Sequence, residues 1–267
     1  MPDHPPVLAD SVTKLDTSAA GRVIVTGSHG GVYAAYLARR AGSRAAIFND
    51  AGVGMGNAGI SGLSWLNEQG MAAAAIDYTS ADIGNAEQAF AQGRISHVNQ
   101  TAERVGVTPG MACAQAATRL AAADMPHAPC PDITESRDVI RPKGALCKLV
   151  LIDSAALVRP EDAGQVIITG SHGALFGDDP SNALRVDALL ALFNDAGGGI
   201  GTTRLPALDQ RGVAAVTVAA SSARIGEAHS SWKDGVISAA NASASRFGAK
   251  VGMPARDLVH SALTAPQ

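Results

Sequence analysis

The stretch VIVTGSHGG at residues 23–31 carries an apolar, β-branched run straight into a Ser-His pair set among glycines, and VIITGSHGA at residues 166–174 repeats it. Such a run is short and apolar on both faces, as a parallel strand covered by helices on both sides requires. The glycines then break the strand into a turn. The repetition extends outward from this phrase at an offset of 143 residues (29 to 172), with VLADS (7–11) on VLIDS (150–154). IFNDAGVGMG (47–56) falls on LFNDAGGGIG (192–201), SADIG (80–84) on SARIG (222–226), and GRISHVN (93–99) on GVISAAN (235–241). Each copy spans roughly 100 residues, a domain-sized unit rather than a solenoid repeat.

Within a copy the patterns alternate. RVIVTG, RAAIFND and MAAAAIDY read as strands, with VLADS as one more, while VYAAYLARRAG and GISGLSWLNEQG read as helices. NAEQAFAQGRISHVNQTAERVG (85–106) reads as a long helix with an internal glycine, which puts His97 on a partly exposed helix face. Strand and helix in alternation predict parallel strands joined by right-handed crossovers. The fold class expected is therefore α/β, a tandem duplication of a parallel-sheet, doubly wound unit with pseudo-two-fold symmetry. The first repeat covers 1–111 and the second 149–267. Between them, 112–148 holds an Ala-rich helix (ACAQAATRLAAAD) and a proline-rich linker, because closely spaced prolines exclude a regular helix or central strand.

Composition narrows the function classes. The 267 residues are 46% hydrophobic with a net charge of -3, and no Lys/Arg block offers a footprint for nucleic acid. No apolar run reaches the ~18 residues of a membrane span, and the N-terminus lacks an export signal's basic and apolar regions, so a cytoplasmic protein with no membrane partner is expected. The three cysteines, Cys113, Cys130 and Cys147, lack a C-x-x-C spacing and read as reduced thiols. Ala- and Gly-rich helices offer flat packing surfaces, and a homo-oligomer is expected.

Ligands of open α/β sheets sit beyond the carboxyl ends of the strands. His29, Asp50, His172 and Asp195 all follow strands and fall on that edge. The chemistry these residue types suit is acid–base work at the interface of the repeats: His29 or His172 as general base, Asp50 or Asp195 orienting it, and backbone N–H groups of Gly30, Gly31 and Gly173 holding an oxyanion. Ser28 and Ser171 are nucleophile candidates, although a residue adjacent to a histidine on a strand points the other way, so a Ser-His pair would have to form across the repeats. Asn49, Asn194, Asp82 and Arg224 are assigned to substrate binding, with Arg224 able to grip a carboxylate through its planar fork. An ordinary turn, a helix cap or a surface ion pair is the alternative for each of these residues. Two His and two Asp would suit a divalent cation, but no H-x-H or H-E-x-x-H pair is present, and neither metal nor cofactor is assigned.

The Ser-His-Gly strand end, followed by FNDAGVGMG (48–56) and GLSWLNEQGMAAAAI (62–76), resembles the caspase-like peptidase fold. The resemblance implies a histidine at one strand end and a cysteine at the next; here Asp50-Ala51 and Asp195-Ala196 stand in the cysteine's place. What it implies is a histidine-bearing α/β framework. The expected function is hydrolysis of an amide, lactam or lactone-type bond in a carboxylate-bearing small molecule. Isomerisation or elimination next to a carboxylate needs the same parts, and a non-catalytic ligand-binding or assembly module is the third reading.

Overall fold

The computed structural model describes residues 5–175, 177 and 179–266. They form two similar α/β units, the first running to Thr134 and the second from Glu135, with Gly54–Gly56 counted in the second. In the first unit, strands β1 (Val7–Ala9), β2 (Val23–His29), β3 (Ala45–Asn49), β4 (Ala72–Ile76) and β5 (Ile95–Val98) lie side by side in that order. β1 to β4 are parallel, and β5 returns antiparallel to β4. Alternation along the strands sends Val23, Val25, Ala45 and Ile47 to one face and Ile24, Ala46 and Phe48 to the other.

Helices cover both faces. α1 (Val32–Arg40) and α2 (Ser61–Glu68), the crossovers between parallel strands, share the Phe48 face. α3 (Ala86–Gln92) and α5 (Cys113–Leu120) pack on the Ile47 face, where Ala89, Ala116 and Leu120 are buried. β4 is AAAAI and wholly buried. Alanine is a poor strand former on its own, but a strand buried on both sides is chosen for what packs against it, and small side chains let both helix layers approach.

The second unit repeats this plan with β7 (Leu149–Ile152), β8 (Val166–His172), β9 (Leu190–Asn194), β10 (Ala214–Val218) and β11 (Ile237–Ala240). α6 (Arg204–Gln210) covers one face; α7 (Ala228–Lys233) and α8 (Ala255–Thr264) cover the other. One further strand, β6 (Arg137–Ile140), pairs antiparallel with β7 at the edge.

One sequence expectation needs correction. Residues 85–106 are not one helix: α3 ends at Gly93, β5 follows, and α4 (Gln100–Arg104) starts after Asn99, whose side chain accepts the Ala102 N–H. A Cβ at Gly93 would lie 2.3 Å from the Ala89 carbonyl oxygen, so the glycine permits the break that turns the chain into β5. His97 is therefore on a strand. Within 112–148, α5 packs into the first core and β6 extends the second sheet. Between them, Arg39 on α1 donates to the carbonyls of Pro126 and Ala128, and Tyr36 to Asp132 at 3.4 Å, so the proline-rich segment straps the first unit's helix layer.

After β3 the chain makes a run of left-handed residues, Ala51, Gly52, Val53 and Gly54, with φ of 53°, 74°, 66° and 70°. A β-branched residue in that region is strained, at about 1–3 kcal/mol. The second unit has Gly198 at the position of Val53, with φ 70°. Val53→Gly is therefore expected to stabilise the protein by about 1 kcal/mol, the relieved strain exceeding glycine's extra chain entropy. A higher denaturant midpoint at unchanged slope is the measurement, and a lower midpoint would contradict the strain.

Candidate functional site

The carboxyl edge of the first sheet brings together the ends of β2, β3 and β4 with the start of β5. His29 pairs with Asn49 across β2 and β3. Asn49 is fully buried and holds its own turn: its Nδ2 donates to the Ala81 carbonyl at 2.9 Å, and its Oδ1 accepts the Ala51 N–H. Asn194 does the same with Ala223 and Ala196 in the second unit. Both asparagines hold loops together.

His29 closes its own turn as well. Its Nδ1 accepts the Gly31 N–H at 3.1 Å, so the ring's proton sits on Nε2. A Cβ at residue 31 would lie 2.7 Å from the ring's Cε1, so a side chain there would displace the imidazole. Burial lowers the His29 pKa to about 4. Near neutral pH the His29 ring is uncharged, its Nδ1 taken by the Gly31 N–H and its proton on Nε2. His172 is buried, and its Nδ1 accepts the Ala174 N–H at 3.2 Å.

The His29 value fixes a pH dependence. Its folded pKa lies below the ordinary ~6.5, so the unfolded chain takes up a proton that the folded one refuses. The stability this confers is complete above about pH 6.5 and drains away as the pH falls towards about 4. NMR titration of the His29 Cε1–H should show no protonation above about pH 5; a midpoint near 6.5 would refute the assignment.

The glycine N–H groups are spent internally. Gly30 donates to the Asn49 carbonyl at 3.1 Å, Gly31 to His29, and Gly173 to the Asn194 carbonyl at 2.8 Å. An oxyanion hole made from them, as the sequence suggested, has no donors to offer. The serine hydroxyls face elsewhere too: Ser28 Oγ accepts the Val12 N–H at 3.1 Å, and Ser171 Oγ accepts the Ala155 N–H at 2.9 Å. Each pins the loop that follows the first parallel strand of its sheet. Asp82 and Arg224 are exposed; Arg224 is 3.6 Å from Glu227, a solvent-screened surface pair of small energetic value.

Asp50 is the buried charge of this edge, 4% exposed. Its Oδ1 accepts the N–H groups of Gly52 at 2.9 Å and Tyr78 at 3.1 Å, and its Oδ2 accepts Ser96 Oγ at 2.8 Å. Three donors compensate a carboxylate that water barely reaches. The residue it serves is His97 rather than His29: His97 Nδ1 lies 4.0 Å from Asp50 Oδ2 and 3.0 Å from Ser96 Oγ. The His97 side chain is 40% exposed. β5 pairs Ala75 with His97 and Ile76 with Ile95, so Ser96 is an extra, bulged residue. A bulge re-aims its side chain, and here Ser96 turns towards Asp50.

Ser96 and His97 escaped the sequence reading because their strand was taken for helix. A signal was present: Ile and Ser recur as Ile95-Ser96 and Ile237-Ser238 after a glycine, in both copies. The second unit keeps the bulge but not the cluster. Ser238 Oγ bonds Thr217 Oγ1 at 2.9 Å, Asp195 Oδ1 accepts the Ala220 N–H at 2.7 Å, and Ala239 stands where the first unit has His97.

Among the described residues no three His, Cys, Asp or Glu side chains are grouped as a metal site requires. The cysteines are unpaired, with the buried Cys113 thiol pushed up to about 12. No helix among the described residues is long and apolar enough to cross a membrane. No family model, no curated protein and no solved structure matches this chain.

Proposed function

We propose that the first unit carries an acid–base site for a small polar or carboxylate-bearing molecule, hydrolysing an amide, lactam or lactone-type bond. The observation that supports it is the half-exposed His97 imidazole 4.0 Å from the buried Asp50 carboxylate. A general base needs a partner that holds its ring in place, and the carboxylate stands where it can do so. In this reading His97 Nε2 removes a proton from water, the hydroxide attacks the carbonyl carbon, and the oxygen's growing charge meets the Nε2–H of His29. His97 then returns the proton to the departing nitrogen or oxygen. The base role thus moves from His29 to His97, and the oxyanion donor from the glycine N–H groups to His29. β2 and β5 stand three strand spacings apart, about 14 Å, a gap a small molecule bridges with a side chain at each end.

A second reading, proton abstraction next to a carboxylate for isomerisation or elimination, draws on the low pKa of His29, about 4. A neutral imidazole is the donor suited to a carbonyl oxygen that becomes an enolate. The same proposal takes the protein as cytoplasmic and homo-oligomeric. The test is a panel of cyclic amides, lactones and organic acids incubated in D2O and followed by NMR. Ring opening marks hydrolysis, and deuterium at the carbon next to the carboxylate marks abstraction. Neither reaction with any compound, together with saturable binding, would favour a non-catalytic ligand-binding module.

A further inference from the structure

We infer that Ser96 is the positioning residue of this site, a hydroxyl that passes the charge of Asp50 to His97 and fixes which ring nitrogen is free. The inference rests on the reading of His97 as the proton-transfer group, but its test needs no substrate. Ser96 Oγ lies 2.8 Å from Asp50 Oδ2, 3.2 Å from the Ala75 carbonyl oxygen and 3.0 Å from His97 Nδ1. A hydroxyl has one proton to give and two lone pairs to offer. Two of its three neighbours, the carboxylate and the carbonyl, can only accept. The proton therefore goes to an oxygen, most favourably to the charged one. His97 must then be the donor to Ser96, with its own proton on Nδ1, and Nε2 is left as the basic nitrogen.

The polarity of the chain is thus set by its buried end. Asp50 cannot donate, so every hydrogen bond from it outward runs His97 to Ser96 to Asp50. The two histidines of the edge hold opposite tautomers: His29 is protonated on Nε2, where it donates, and His97 on Nδ1, leaving Nε2 to accept. That division suits one group that polarises and one that takes the proton. The bulge makes it possible, because in a regular ladder consecutive residues of β5 would face opposite sides of the sheet.

The second unit shows what the arrangement loses without its parts. Ser238 has the same bulge, but Thr217 has taken the place of Ala75 and captured its hydroxyl, and Ala239 carries no ring. Among the described residues, the Asp–Ser–His arrangement of this bulge is not repeated at the matching bulge of the second unit.

The experiment is 15N NMR of the histidine rings in the full chain at about pH 8.5, about two units above the ordinary imidazole pKa. His97 should show the Nδ1–H tautomer, where an unconstrained imidazole favours Nε2–H. Ser96→Ala should shift His97 to mainly Nε2–H, and Ser96→Thr, which keeps the hydroxyl, should restore Nδ1–H. An Nε2–H tautomer in the unaltered protein or in Ser96→Thr, or an Nδ1–H tautomer that persists in Ser96→Ala, would overturn the inference. If the tautomers behave as stated and the substrate panel stays silent, the relay stands and the proposed reaction falls.

Discussion

His97→Gln is expected to lower turnover of a responsive substrate by about 10²–10⁴-fold, the usual contribution of a positioned general base. Glutamine keeps a polar side chain on a half-exposed strand position, so the fold should be undisturbed and the loss should lie in kcat more than in KM. His29→Ala removes a hydrogen bond to the developing oxyanion and should cost about 10²–10³-fold. His172→Gln lies in the second unit, whose matching bulge carries no histidine, and should leave kcat within about threefold, which amounts to less than 1 kcal/mol of barrier. The comparison assigns the chemistry to a unit. Full turnover in His97→Gln, with loss in His172→Gln, would shift the active site to the second unit and end the present reading.

Much of this edge can be seen in the sequence. His29 follows the β-branched run VIVT and Asp50 the apolar run AAIF, and the strand-end rule puts both at the ligand-facing rim from sequence alone. Their roles are another matter. Whether Gly30 and Gly31 offer their N–H groups to a ligand depends on where Asn49 and the His29 ring lie in space, and both take those protons. His97 was hidden for a different reason. α3, β5 and α4 are seven, four and five residues long, too short for a helical or a strand period to declare itself, so Gly93 passes for a tolerated helix glycine. The order of the strands was equally silent. Right-handed crossovers were expected and are compatible with several orders, whereas the sheet uses the sequential one, with no reversal and no crevice of the kind a reversal creates.

Gly170→Ala should destabilise the second unit by about 3 kcal/mol, at the upper end of overpacking costs. A Cβ there would lie 2.5 Å from Glu227 N, 2.5 Å from Gly226 C and 2.7 Å from Asp153 O, all backbone atoms that no rotamer change can move. The close approach is what the repeated Thr-Gly-Ser-His phrase secures. The Gly226 N–H bonds the Gly170 carbonyl at 2.7 Å, and the Asp153 side chain caps the start of α7 through Ala228. Gly27 holds the matching place in the first unit, where a Cβ would lie 2.5 Å from Asn85 N and the Gly84 N–H bonds the Gly27 carbonyl at 2.8 Å. Gly199→Ala is the control, because nothing lies within 4 Å of its Cβ; its effect should stay within about 0.5 kcal/mol. Urea unfolding of both variants decides the matter. A Gly170→Ala midpoint equal to that of Gly199→Ala would mean the loop and strand do not meet as described.

The one-way order of the first sheet also bears on how the polypeptide acquires its shape. Each strand's partner is the next to be synthesised, so β1 to β5 pair in the order of their making. Contacts between near neighbours along the backbone cost little loop entropy and favour fast assembly. Once α5 has left the ribosome, every strand of the first unit's sheet is present, and that unit can close its core while the second is still being translated. Two similar sheets built in succession in this way have little opportunity to exchange strands, a hazard that neighbouring domains of like sequence otherwise face.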